Sequence, residues 1–130
     1  MAVDAVIFDW GGTLTPWRTV DFSSEAAALA QAAVLADEVD SEAAAHALLQ
    51  AGDIVWSRAR DHHTSATLAD IFREAGYALD ESQLHHYQDF WRPATITDPD
   101  VPAMFEALRS DRIRIGVLSN TVWPRAWHEE

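Results

Sequence analysis

The sequence predicts an α/β fold, a partial parallel sheet core carrying an inserted α-helical bundle. Two short apolar runs near opposite ends of the chain, Ala2 to Phe8 and Ile113 to Leu118, are rich in β-branched residues and stop in turn formers. About a hundred residues dominated by helix formers separate them, far more than an ordinary crossover needs. The last helix of that stretch would by itself serve as the crossover into the second strand, which leaves the earlier helices as an insertion.

The first run, with Val3, Val6, Ile7 and Phe8, ends in Asp9-Trp10-Gly11-Gly12 and reads as a buried strand followed by a tight turn. Ser23-Ser24 caps a first, alanine-rich helix to about Asp37. Asp40-Ser41 caps a second to about Arg60, with Ala44, Ala47, Leu48, Ala51 and Val55 on one face. Thr64-Ser65 starts a third, with Leu68, Ile71, Phe72 and Ala75 at helical spacing before Gly76. Asp80 with Gln83 forms a capping box for a fourth, carrying Leu84, Tyr87 and Trp91. After a break at Pro93, Asp98-Pro99 opens a fifth helix with Val101, Met104, Phe105 and Leu108 inward. Ile113 to Leu118 then forms the second strand, ending in Ser119-Asn120. The domain organisation is a core over residues 1–16, a helical cap over 17–92 and a returning core over 93–130.

Composition narrows the function classes. The chain has 130 residues and a formal net charge of −12, so a nucleic-acid backbone or an anionic membrane would repel it. The absence of cysteine removes disulfides, thiolate metal sites and cysteine nucleophiles. No apolar run approaches the roughly 18 residues that would span a bilayer. The first residues lack the pattern of a secretory signal. An acidic protein of the cytoplasm is the expectation from composition; the oligomeric state is not legible.

Two strand ends carry the chemical signal. In Phe8-Asp9-Trp10-Gly11-Gly12-Thr13-Leu14-Thr15 a carboxylate leaves a strand end. Two glycines let the backbone turn and approach a ligand, and a hydroxyl follows. The same residues also fit an aspartate that caps the next helix. In Leu118-Ser119-Asn120-Thr121 short hydroxyl and amide side chains with free N–H groups suit a phosphate, or an ordinary turn. Parallel pairing would put Asp9 and Ser119 at one edge of the sheet, where open parallel sheets bind ligands.

These residues resemble the amino-terminal part of the haloacid dehalogenase-like hydrolases, most of which cleave phosphate esters. The family's first motif, an apolar strand followed by Asp-x-Asp-Gly-Thr/Val-Leu, stands here as Val6-Ile7-Phe8-Asp9-Trp10-Gly11-Gly12-Thr13-Leu14. Its second, an apolar strand ending in Ser or Thr, stands as Gly116-Val117-Leu118-Ser119-Asn120. A helical cap inserted after the first motif is a further family trait. The resemblance implies a Rossmann-like core in which Asp9 is the nucleophile, forming an aspartyl-phosphate, and also a Mg²⁺ ligand together with the Gly11 carbonyl. Ser119 would hold a phosphoryl oxygen, with Gly12, Thr13 and Asn120 supporting that pocket.

Two departures qualify the resemblance. Gly11 replaces the family's second aspartate, its general acid/base, whose loss typically costs about 10²–10⁴ in rate. Phosphonate- and carbon–halogen-cleaving members also lack it, so those chemistries stay open. The family's later lysine and acidic metal motif are missing too, and all nine basic residues here are arginines. The expectation is a truncated, poorly active hydrolase, with a degenerate, non-catalytic binding module as the alternative.

The other candidates read as structural. His62-His63 and His85-His86 offer one ligand per pair at most. Trp10 and Trp17 either wall the site or pack beneath the cap. Arg18, Arg58 and Arg60 read as surface arginines, Tyr87, Phe90 and Trp91 as cap core, and Asp37-Glu38 with Asp40 and Glu42 as a solvated helix junction.

Overall fold

The computed structural model describes residues 3–35 and 40–128. The chain divides into two compact units. One holds the residues up to Thr19 with Trp91–Asn120; the other holds Val20–Phe90 with the segment from Thr121 onward.

The first unit contains β1 (Ala5–Phe8), β4 (Arg114–Val117) and α5 (Val101–Ser110). β1 and β4 pair in parallel, Ala5 opposite Arg114 and Phe8 opposite Val117. Phe8 packs against Phe105 of α5 with ring centroids 5.6 Å apart, and Arg109 lies over the same Phe105 ring. The buried strand expected at β1 is corrected: exposure alternates along it, and Ile7 is 70% exposed. The cause is a helix on one face only. Opposite Ile7 stands Gly116, where an added Cβ would meet Ile7 Cγ1 at 3.6 Å.

The second unit is a helical cluster of α1 (Phe22–Ala30), α2 (Ser41–His62), α3 (Leu68–Ala75) and α4 (His85–Trp91, whose last residue clusters with the first unit). Its core is Ala26, Leu29, Ala44, Leu48, Ala51, Leu68, Ile71 and Phe72, all buried. A two-residue antiparallel pair, β2 (Ala33–Val34) with β3 (Ala78–Leu79), joins the end of α1 to the end of α3. Asp80 N–H donates to the Ala32 carbonyl at 2.8 Å beside it. The Tyr87 hydroxyl, on a buried ring, donates to Glu25 at 2.8 Å.

Several boundaries differ from the sequence expectation, each for a local reason. α1 ends at Ala30, not near Asp37, because Ala33–Val34 is taken by strand pairing; Asp37 and Glu38 lie outside the described residues. Its cap is Asp21, which accepts from Ser23 N–H and Ser24 Oγ. α2 begins after Asp40 as expected but runs on to His62, and His63 closes it in a left-handed conformation with φ 53°. α3 therefore starts later, at a capping box of Thr67 and Asp70, and Gly76 ends it with φ 80°. Asp80 does cap, but a 3₁₀ turn over Glu81–Gln83, and Gln83 does not reciprocate. Asp98 spends Oδ1 on Asp100 N–H in a turn before α5, so the first-turn proline is Pro102. Among the described residues no helix is long and apolar enough to cross a membrane.

Candidate active site at the paired strand ends

The parallel register sets the site. β1 stops at Phe8 and β4 at Val117, and Leu118 N–H donates to the Phe8 carbonyl at 2.9 Å. Asp9 and Ser119 therefore leave the pair at the same end, one and two residues past their strands. Asp9 is exposed, Ser119 half-buried and Asn120 exposed.

The chain beyond Asp9 folds into a tight turn around one acceptor. The Trp10 carbonyl accepts from the N–H groups of Thr13, Leu14 and Thr15 at 3.2, 2.9 and 3.2 Å. Gly12 makes this possible at φ 75°, a region that costs a residue with a Cβ about 1–2 kcal/mol. Gly11 bridges to Thr15. Leu14 and Thr15 are 2% and 3% exposed and anchor the turn, and Asp98 N–H holds the Leu14 carbonyl at 2.9 Å. Thr13 stays exposed at the turn's crest. All the residues singled out from the sequence, Asp9, Gly11, Gly12, Thr13, Ser119 and Asn120, fall in the first unit.

Asp9 is not a helix cap. Its Oδ1 accepts from Trp10 N–H at 2.8 Å, within the turn, and the next helix begins only at Phe22, capped by Asp21. That short bond fixes the carboxylate's direction and leaves Oδ2 without a bond to any described residue. Such a group, on a strand end in water, can act as a nucleophile or as a hard oxygen ligand.

A family model of haloacid dehalogenase-like hydrolases matches residues 3–129. The chain belongs to that family. No curated protein and no solved structure matches it. Members of this hydrolase family generally use Mg²⁺, and the donors at the turn can be compared with that ion's needs. Asp9 and the Gly11 carbonyl are both hard oxygens in an exposed turn. They fit a cation that keeps most of its waters and takes further oxygens from a phosphorylated ligand. Among the described residues no group of three or more His, Asp or Glu side chains gathers to hold a metal.

The remaining candidates lie elsewhere. Arg58 pairs with Glu74 at 3.0 Å and Arg60 with its neighbour Asp61 at 3.1 Å, both in the helical unit. They line or flank a cleft of about 260 Å³ between α2 and α3, floored by Val55 and Ala59. His85 and His86 bring their ring centroids to 4.0 Å, closer than helical spacing alone implies, with His85 Nδ1 at 3.0 Å from the Ser82 carbonyl. Arg18 is exposed. Sequence reasoning left Trp17 open between a wall and a packing role. It is 81% exposed, and its six-membered ring lies on Gly12, where an added Cβ would be 2.8 Å from Cε3. No spacing rule marks such a contact, because it depends on the left-handed turn.

Proposed function

We propose that this hydrolase cleaves the phosphate ester of a small metabolite through an aspartyl-phosphate at Asp9. The observation that carries the reading is the exposed, direction-fixed Asp9 carboxylate at the same end of the strand pair as Ser119. A phosphoryl group docked there would receive hydrogen bonds from the Ser119 and Thr13 hydroxyls and the Asn120 amide, and it could approach the Gly11-Gly12 backbone closely. Asp9 Oδ2 lies free to attack phosphorus. Positioning and fixed dipoles then supply most of the rate, as is general for phosphoryl transfer. Asp9 and the Gly11 carbonyl would hold Mg²⁺, which when bound offsets the negative charge of nucleophile and phosphate. The net charge of −12 disfavours nucleic acid or an anionic membrane as the partner, which leaves a small phosphorylated molecule, and the proposed setting is cytoplasmic.

The test is a panel of phosphate esters assayed with and without Mg²⁺ on the wild-type chain and on Asp9→Asn. The expected result is turnover that Asp9→Asn lowers by at least about 10³-fold with the melting temperature preserved. Equal turnover by the two proteins overturns the proposal. A second reading, a binding module without turnover, is favoured by one feature: Asp9 is the single ionisable side chain in 9–15 and 118–121. Phosphate binding that Ser119→Ala weakens, with no ester cleaved, is the outcome that selects it.

A further inference from the structure

We propose that Trp17 is the specificity-determining side chain of the Asp9 site and that the substrate is an aryl phosphate monoester. The inference rests on the phosphatase reading and adds the class of leaving group. Two independent observations lead to it.

The first is that the two strand-end segments hold no acid besides the nucleophile. Residues 9–15 and 118–121 contain no ionisable side chain besides Asp9. Asp98, whose N–H holds the Leu14 carbonyl of the turn, has Oδ1 engaged by Asp100 N–H. An alkoxide cannot leave at useful rates without a proton donor, whereas a phenolate can, because its conjugate acid has a pKa near 10. The second is Trp17. Large aromatic rings are usually well buried on average, yet this one is 81% exposed beside the turn that positions the nucleophile. Its ring stands against Gly12 of the turn. Gly12 is three residues beyond Asp9, so the chain keeps the two within about 11 Å. A flat leaving group on a phosphate held at Asp9 can thus stack on the open part of the indole, an offset or edge contact that aromatic pairs favour.

The reaction balances without an acid. Asp9 Oδ2 forms a bond to phosphorus as the bond from phosphorus to the aryl oxygen breaks, and the electron pair leaves on the phenolate. Water then attacks phosphorus and the bond to Asp9 breaks, which restores the carboxylate and releases dihydrogen phosphate. One proton passes from that phosphate through solvent to the phenolate, giving phenol and hydrogen phosphate.

The experiment compares 1-naphthyl phosphate with cyclohexyl phosphate as substrates, with Mg²⁺ added. In parallel, calorimetry follows binding of the non-hydrolysable naphthylmethyl- and cyclohexylmethyl-phosphonates, so that the answer does not depend on turnover. The wild-type chain should prefer the aryl member of both pairs. Trp17→Leu and Trp17→Ala should each reduce the aryl-over-alkyl binding ratio by about 2- to 10-fold, and Trp17→Phe should restore most of it. The leucine variant retains apolar bulk, and a thermal melt of each variant identifies loss of fold. Equal binding of the two phosphonates to wild type, no binding of either, or an aryl preference that survives Trp17→Leu overturns the inference. Failure of the phosphatase reading looks different: aryl-selective, Trp17-dependent phosphonate binding persists while no ester is cleaved or Asp9→Asn cleaves as well as wild type.

Discussion

The two units of this chain divide labour sharply. The helical unit holds most of the buried side chains, including Leu48 and Phe72 at 1% exposure, and its charged groups are largely spent on caps and surface pairs. The strand unit has a thin core, with one helix on one face of two strands, and Ile7 at 70% and Leu118 at 72% exposure. Yet the strand unit carries the carboxylate, hydroxyls and flexible glycines from which chemistry can be built. Dense packing lies in one unit and the candidate site in the other. Stability and activity should therefore respond to different substitutions.

The largest expected effect on stability comes from the helical core. Phe72→Ala leaves a cavity in a site with no solvent access and should cost about 3–5 kcal/mol, read as a shift in the urea midpoint. If Phe8→Ala in the strand unit costs as much, the contrast fails. Next comes Gly12→Ala. It meets both the positive φ and the Trp17 ring, so it should cost about 1–3 kcal/mol locally and abolish ligand binding at the Asp9 turn. A variant that melts like wild type and still binds phosphate would show that the turn is not constrained as described. The smallest effect is electrostatic. The Thr67 hydroxyl, then the Arg73 guanidinium, hold the Asp70 carboxyl below its ordinary value, and the Ser24 hydroxyl does the same for Asp21. A depressed folded pKa stabilises fully above the unfolded value and is lost as pH falls through the folded one. Acid should thus weaken the helical unit below about pH 4. Thr67→Ala should remove about 1 kcal/mol at neutral pH and flatten that acid limb in a series of melts.

The sequence made the strand pairing and the site legible because both rest on local signals. The β-branched runs, Gly11-Gly12, and the Asp9 and Ser119 strand ends need no tertiary information to be noticed, and the family they resemble is the one whose model matches residues 3–129. What escaped was set by contacts distant in sequence. Nothing in the alanine-rich run after Ala30 marks a helix end; Leu79 and Ala78 impose it by pairing with Ala33 and Val34. The exposed half of β1 was hidden for the converse reason. Val3, Val6, Ile7 and Phe8 read as buried, but burial needs a second covering layer, which composition cannot report. Trp17 stayed undecided between its two roles because its partner is a backbone with an unusual φ, not a side chain at a recognisable spacing.

The pairing of Ala5 with Arg114 and Phe8 with Val117 has a consequence for assembly. These partners stand more than a hundred positions apart, so their union must close a very long loop, at an entropic cost that grows only slowly with length. α1, α2 and α3, whose contacts are nearer in sequence, can gather first and shorten the effective loop. During synthesis the strand pair cannot form until β4 has left the ribosome, however early Asp9 emerges. Pairing of β1 with β4 is therefore expected to be the late event, and helical circular dichroism does not report it.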